Sequence, residues 1–321
     1  MITTITVAWA VAFFLVLGAG LYAGRAFSGA MDWSIANKSL SATGVGVVLG
    51  AFQIGGISVI GVAQMGFNMG IAGAWYTITG GTYLLIFALI GGLIRSRMRE
   101  DSISAFYLNC YGGKVSKLYT YLYLVLGFLY IPIQLFALST VLVIVIPGLG
   151  VTQACVVGLL LCAGYVGFSG MKGARIVGMC TGILAYATIA LGCVLAVDKM
   201  GGIEGLRAVL PESFFKFSSM PQSQVVGWIL VNALGTTAMQ AALQPLLAAK
   251  DSKAACVGSL IGGCIAVPIG LFTAAIGMAV KAALPETDSA QAFAVGINHF
   301  LNPALVGVIF ATVTLIIATT L

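Results

Sequence analysis

Nine long apolar segments determine what this chain can fold into. They lie at about 3–24, 41–69, 71–94, 115–147, 151–169, 174–197, 224–249, 254–283 and 303–321. An apolar helix of about 20 residues crosses the hydrocarbon core of a bilayer, where every backbone polar group needs a partner within the protein. We therefore predict a single all-α transmembrane domain, a polytopic helical membrane protein, and number its spans 1 to 9 in this order.

The composition excludes several other classes of protein. The chain has 321 residues, of which 60% are hydrophobic and only 7% are charged, whereas soluble domains carry about 25% charged residues. Its net charge of +6 needs no nucleic-acid partner to explain it. Its seven cysteines never form a CxxC pair, so we interpret them as free thiols. The first segment has no preceding basic region, so we interpret it as a retained helix.

The basic residues indicate how the chain is oriented, because loops on the cytoplasmic side are enriched in Lys and Arg. With the N-terminus outside the cell (inner) membrane, eleven of the fifteen basic residues are cytoplasmic, and the opposite orientation would reverse this ratio. The cytoplasmic set is Arg25, Lys38, Arg95, Arg97, Arg99, Lys114, Lys117, Lys172, Arg175, Lys250 and Lys253, and the outer set is Lys199, Arg207, Lys216 and Lys281.

No span contains a formally charged residue, since all nine acidic residues fall in loops or at span ends. A proton-coupled carrier needs an ionisable group within the membrane, so a neutral interior favours another coupling ion or none. The single histidine, His299, precedes the last span and fits an interfacial or capping role better than a proton relay. The chain also lacks the motifs of nucleotide-driven pumps and hydrolases, and we predict that it is not an enzyme.

Span 2 has polar and flexible residues at its centre, where a lipid-facing helix would carry leucine. Gln53, the pair Gly55-Gly56 and Ser58 lie there, and they predict an interruption of the helix near residues 53–57. Non-helical backbone at membrane depth occurs where protein or a water-filled cavity surrounds it, so the interruption is a candidate binding site. The alternative is that glycines at GxxxG spacing, such as Gly46 and Gly50, serve only close helix packing.

Span 7 shows the same pattern around residues 233–237, with Asn232, Gly235, Thr236 and Thr237 in an apolar background. It follows span 2 by five spans, an odd number, so the two cross the membrane in opposite directions. Two interrupted helices at matching places of inverted halves are typical of secondary transporters that bind their substrate near the midplane. Two glycine-rich packing helices with no such role remain the alternative.

The sequence resembles the sodium:solute symporter family over essentially its whole length. The motifs that carry the resemblance, in the family's order, are Asp32-Trp33 with Asn37-Lys38-Ser39-Leu40, the stretch from Gly50 to Gly61 with Gly66-Phe67 and Gly70, Gly170-Met171-Lys172-Gly173-Ala174, the segment from Leu247 to Ala255, and Ile317-Ala318-Thr319-Thr320.

The resemblance implies a leucine-transporter-type fold, which has two inverted five-helix repeats after one extra helix. Residues 1–40 would then hold the extra helix and a loop, residues 41–197 the first repeat, and residues 223–321 part of the second. The chain would be truncated after the ninth span. The implied function is a sodium-coupled symporter that imports a small organic solute by alternating access. Its implied partners are the solute, sodium and the bilayer, with no cofactor besides Na⁺ as coupling ion.

The resemblance also implies a sodium site at the interruption of span 2. It would use the backbone carbonyls of Ala51, Ile54 and Ile316 and the hydroxyls of Thr319 and Thr320. Sodium is a hard cation that binds oxygen, and a helix end presents carbonyls without helical partners. For the two threonines, hydrogen bonding back to the preceding helical turn is the alternative.

The predicted solute site is formed by neutral groups that face the two interruptions. Its members are Gln53, Ile57, Ser58, Thr77, Gln134, Asn232, Thr236, Thr237 and Gln240, while Trp75 and Tyr76 are either gates or interfacial aromatics. Such a lining suits a sugar or polyol, or a carboxylate held at the N-terminus of a half-helix. A transporter-like sensor and a non-transporting fragment or assembly subunit remain alternatives.

Overall fold

The computed structural model describes residues 2–24 and 34–320. The predicted all-α class is confirmed: within these residues the chain is helical apart from connections, and its one β-type contact is an isolated bridge between Leu40 and Ala249. The motif residues Asp32 and Trp33, and Arg25, lie outside the described residues.

The helices follow the predicted spans closely. Their bounds are Ile2–Gly24 for span 1, Ala42–Gln53 (2a) and Val62–Met69 (2b) for span 2, Trp75–Arg97 for span 3, Gly113–Val145 for span 4, Val151–Lys199 for spans 5 and 6, Gln222–Leu230 (7a) and Gln240–Leu247 (7b) for span 7, Ser252–Ala266 and Ile269–Ala283 for span 8, and Pro303–Thr320 for span 9. Shorter helices at Ile103–Tyr111, Gly202–Val209 and Ala292–Phe300 lie in the connections.

Length and composition alone would give fewer spans than the nine predicted. Six helical stretches of the described chain are long and apolar enough to cross a membrane, or seven if the bent pair of span 7 is one span. The difference has a local cause. Helix 2a and the first part of span 5 are short, and helix 2b is continuous enough with span 3 to be counted with it, as Ile57–Arg97.

Spans 5 and 6 share helical backbone at Val151–Lys199, although the sequence predicted two separate segments at 151–169 and 174–197. Both ends of this segment nevertheless lie at the end of the molecule that holds the N-terminus. Val145, just before the segment, accepts a 2.6 Å hydrogen bond from Thr6, and Gly192, near its end, packs against Ile309 of span 9. Since span 9 contacts the start of span 1, the chain reverses direction between span 5 and span 6.

Glycines let the helices around span 2 approach closely. A Cβ atom on Gly46 would lie 2.6 Å from Ile261 of span 8, and one on Gly66 would lie 2.2 Å from the carbonyl oxygen of Ala274. The packing interpretation of these GxxxG glycines is therefore correct. Close packing at these glycines does not exclude an interruption at the Gly55-Gly56 pair, so the two interpretations of span 2 do not compete.

The two ends of the molecule carry different residues. The N-terminal face carries Thr6, Lys199 and Lys281, and the basic face carries Leu40, Arg95 and Lys250. On the basic face, the Leu40 amide donates to the carbonyl of Ala248 and the Lys250 amide donates to the carbonyl of Leu40, both at 2.9 Å. The Arg95 guanidinium donates to the Ala249 carbonyl at 2.6 Å. These bonds join the start of helix 2a, the end of helix 7b and span 3.

Candidate functional site: two interrupted spans and the cavity between them

Span 2 is interrupted directly after Gln53, close to the predicted place. Ile54 has a non-helical backbone, with φ −85° and ψ 89°, and a π-helical turn at Ile57–Gly61 leads into helix 2b. The Ser58 hydroxyl donates a 2.6 Å hydrogen bond to the carbonyl of Gln53. Because the last carbonyls of a helix lack intrahelical partners, helix 2a presents backbone oxygen at the interruption.

Gly55 and Gly56 are required here by close packing. A Cβ atom on Gly56 would lie 2.6 Å from Oε1 of Gln134, and one on Gly55 would lie 2.9 Å from the methyl group of Thr320. The Gly56 amide donates to Gln134 Oε1 at 2.8 Å, and the Gln134 amide donates to the Tyr130 hydroxyl at 2.6 Å. Buried Gln134 thus fixes the interruption to span 4.

The Thr320 hydroxyl lies among three backbone carbonyls. Its oxygen is 3.5 Å from the carbonyl of Ala51, 3.3 Å from that of Ile54 and 2.9 Å from that of Ile316. A hydroxyl has one proton, so it donates to one of these oxygens at a time. The two longer distances exceed the roughly 2.7–2.8 Å of a usual O–H···O bond. The cluster therefore contains three carbonyl oxygens but only one hydroxyl proton that can be donated to them. Such an excess of partly negative oxygen atoms favours a bound cation.

Thr319 occupies a different environment from Thr320. Its hydroxyl donates to the Ile316 carbonyl at 2.8 Å, and no hydrogen bond to span 2 is found for it in the described chain. This is the back-bonding that the sequence left open for both threonines, and the 2.9 Å bond of Thr320 to the Ile316 carbonyl is of the same kind. The structure thus brings together Ala51, Ile54, Ile316 and Thr320, with Thr319 beside them.

Span 7 is interrupted near its predicted place. After helix 7a, a π-helical turn at Val231–Gly235 and a 3₁₀ turn at Thr236–Ala238 lead to extended backbone at Met239. The two parts of the span are bent by 56° relative to each other. The Tyr119 hydroxyl of span 4 donates to the Ala238 carbonyl at 3.2 Å, so one freed carbonyl has a side-chain partner.

A cavity of about 220 Å³ lies between the two interruptions. Six predicted solute-site residues line it: Gln53, Ile57, Ser58, Gln134, Asn232 and Thr236. The Asn232 amide donates to the Trp228 carbonyl at 2.9 Å, and the Thr236 hydroxyl donates to Asn232 Oδ1 at 3.2 Å. The Gln53 side chain makes no hydrogen bond within the described residues, so its amide is available to a solute.

Three predicted solute-site residues do not line this cavity. Fully buried Thr77 turns toward span 8, where it donates to the Val267 carbonyl at 2.9 Å. Thr237 donates to the Ala233 carbonyl at 2.7 Å within its own helix, and Gln240 accepts a 2.8 Å hydrogen bond from the Ile103 amide. In the structure these three side chains therefore bond to neighbouring backbone outside this cavity. Trp75 also lies elsewhere, hydrogen-bonded to a loop on the N-terminal face.

The cavity has aromatic and apolar residues that the sequence did not single out. Phe52, Leu126, Tyr130, Trp228 and Met239 line it, together with Gly55, Tyr76 and Val231. Tyr130 and Trp228 each precede a predicted site residue by four positions, Gln134 and Asn232 respectively. Residues four apart share one face of a helix, so this spacing is the signal that could have identified them.

One aromatic pair, Tyr76 and Trp228, lines the cavity. Tyr76 packs edge-to-face on Trp228 with ring centroids 5.7 Å apart. A second cavity of about 390 Å³ shares Phe52, Leu126, Tyr130 and Met239 with the first and also reaches Thr320. These four residues separate the central cavity from the space next to the carbonyl cluster.

The available donors for an ion are neutral oxygens. Among the described residues, no three His, Cys, Asp or Glu side chains come together as a metal site. Carbonyl and hydroxyl oxygens without a carboxylate suit a weakly bound monovalent cation better than a tightly bound divalent one, whose sites usually include carboxylates.

Comparison with known proteins extends the description of the fold. No family model matches the sequence, and no curated protein matches it. The structure is similar to the substrate-bound outward-open state of a Na⁺-coupled sialic acid symporter, with a TM-score of 0.83 and 15% sequence identity. The match covers 99% of this chain and 70% of that one. The chain has the leucine-transporter-type fold. This likeness, at 15% identity, is one of fold, and a fold does not by itself define a function.

Proposed function

We propose that this protein is a sodium-coupled symporter of the sodium:solute symporter type, which imports a small organic solute by alternating access. The fold, the resemblance of the sequence motifs and the cavity between two interrupted spans support this proposal. The observation that carries it is the position of the Thr320 hydroxyl among the carbonyls of Ala51, Ile54 and Ile316. Sodium at this cluster would supply the positive charge that the surplus of oxygens favours.

The same segment explains how ion and solute binding would be coupled. Gly55 lines the central cavity and also packs against Thr320 and Gln134. Sodium bound between helix 2a and span 9 would hold the interruption in the position that shapes the cavity. A solute bound in the cavity would stabilise the same position. Two ligands that favour one conformation raise each other's affinity by the same factor.

The cavity lining indicates the class of solute. Its polar groups are amides and hydroxyls, and it has aromatic walls at Phe52, Tyr76, Tyr130 and Trp228. We propose a small polar solute that is held mainly by hydrogen bonds, with Gln53, Asn232 and Tyr130 as the groups that contact it.

We also propose that the protein lies in the cell (inner) membrane with its N-terminal face outside, since the basic face carries most of the lysines and arginines.

Uptake into proteoliposomes tests the proposal. The purified chain would be reconstituted and offered labelled sugars, amino acids and carboxylic acids, each with an inward sodium gradient, with an equal potassium gradient and with a pH gradient. We expect uptake of at least one solute class with the sodium gradient alone. Uptake that follows the pH gradient and ignores sodium would contradict the assigned ion while leaving the fold unaffected.

A further inference from the structure

A large apolar cavity lies at the N-terminal face and has no lining residue in common with the central cavity. Its volume is about 610 Å³, within the roughly 300–1,000 Å³ of small-molecule sites. It is lined by Ile71, Cys193, Val194, Val197, Asp198, Gly202, Ile203, Leu206, Arg207, Phe215, Phe217, Ala275 and Met278. The cavity thus lies between the end of span 6, the helix Gly202–Val209 and span 8.

The cavity is open on one side, where exposed apolar residues line it. Val194 and Ile203 line it and are 61% and 63% exposed, whereas Leu206 at its back is only 3% exposed. The helix Gly202–Val209 follows the end of a predicted span, with Leu206 buried and with Ile203, Glu204 and Arg207 exposed. Such helices lie in the interface between lipid tails and head groups. A lipid tail can therefore reach the cavity from the bilayer.

Two charged side chains of opposite sign complete the lining. Asp198 and Arg207 are its only charged members, and the other lining residues are apolar or small. The one ion pair within 4 Å in the described chain joins Lys216 and Glu212, so neither cavity charge has such a partner. The Arg207 guanidinium lies 4.6 Å from the ring centre of Phe215, which holds it over the cavity wall.

We propose that this cavity binds one phospholipid with a zwitterionic head group from the bilayer. An acyl chain would fill the apolar part, the phosphate would pair with Arg207, and the ammonium group would pair with Asp198. An anionic phospholipid lacks the group that complements Asp198, and a small polar solute would not complement the apolar walls. The inference depends on the membrane location alone and stands apart from the proposed transport activity.

Lipid binding by the purified full chain tests the head-group assignment. Native mass spectrometry would compare phosphatidylethanolamine with phosphatidylglycerol of the same acyl chains. We expect tighter binding of phosphatidylethanolamine, at least tenfold weaker binding in Arg207→Gln, because a hydrogen bond to a charged group is lost, and no preference between the lipids in Asp198→Asn. Lys253→Gln, an exposed substitution on the basic face, should leave binding unchanged.

Photo-crosslinking tests the location. Phosphatidylethanolamine with a diazirine on its acyl chain should label peptides that contain Val194, Ile203 or Met278 more than peptides with other lipid-facing residues, such as Leu89 or Phe128. Equal labelling of all these peptides, equal binding of both lipids, or preference for phosphatidylglycerol would each overturn the proposal.

Discussion

The hydroxyl oxygen of Thr320 lies 3.3 Å from the carbonyl oxygen of Ile54, although 266 positions separate the two residues in the sequence. The contact joins span 9 to the interruption of span 2. Because Ile54 is the residue at which the helix breaks, an ion held here would stabilise the broken form of the span.

Gly56→Ala should lower stability and weaken sodium binding. The backbone of Gly56 is helical, with φ −55° and ψ −38°, so alanine fits the backbone and its effect is steric. Its Cβ would lie 2.6 Å from Gln134 Oε1 and 2.9 Å from the side chain of Ala137. Overpacking of this kind costs about 1–3 kcal/mol. A thermal unfolding midpoint in detergent several degrees below wild type would show it.

Gly182→Ala is the matched control, since no atom outside its own helix lies within 4 Å of a Cβ at that position. Alanine favours a helix over glycine by about 1 kcal/mol, so we expect an unchanged or slightly higher midpoint. Equal losses in both variants would mean that the close packing at Gly56 has no special role.

Gln134→Ala should also destabilise the interruption. The substitution leaves the Gly56 amide without its acceptor, and a buried unsatisfied donor costs about 1–3 kcal/mol. Thermal unfolding and sodium affinity would both be measured, with Gln224→Ala on an exposed helix end as the control. A wild-type midpoint and affinity in Gln134→Ala would show that this bridge does not support the site.

Thr319→Ala should change sodium affinity much less than the same substitution at Thr320. The Thr319 hydroxyl is bonded back to Ile316 at 2.8 Å, and among the described residues no hydrogen bond joins it to span 2. We expect the half-saturating sodium concentration to change by less than about threefold, since an exposed or back-bonded hydroxyl contributes little net energy. A larger effect at Thr319 than at Thr320 would mean that Thr319, and not Thr320, is the threonine that binds sodium.

Cysteine labelling tests the proposed orientation. In a background without the seven native cysteines, exposed Ser218→Cys on the N-terminal face should react with an impermeant maleimide added to intact cells, and exposed Ser252→Cys on the basic face should not. Both should react after permeabilisation. Reaction of Ser252→Cys in intact cells, with protection of Ser218→Cys, would mean that the protein has the opposite orientation.

The sequence was sufficient to predict the apolar helices and both interruptions, because each depends on local composition, but not the shared helical backbone of Val151–Lys199. Gln53 with Gly55-Gly56, and Asn232 with Gly235, interrupt apolar segments at places that any lipid-facing helix would keep apolar. The carbonyls of Ala51 and Ile54 followed from the family resemblance, since no side-chain pattern marks a backbone oxygen.

The orientation of individual polar side chains could not be predicted in the same way. Thr77 looked like a solute ligand, yet its partner is the Val267 carbonyl, 190 positions away. The Gln240 side chain accepts a hydrogen bond from the Ile103 amide, 137 positions away in the sequence. Such assignments depend on which residues of two packed helices face each other, and a single sequence does not show this.

The most direct test of the central claim is equilibrium binding of ²²Na⁺ to the purified chain. Wild type should bind sodium with no competition from potassium. Thr320→Ala should bind about 10- to 150-fold more weakly, as expected for the loss of a bond to a charged partner of about 1.5–3 kcal/mol, and Thr320→Ser should bind nearly as wild type. Absence of specific sodium binding by folded wild type, or wild-type affinity in Thr320→Ala, would contradict the account.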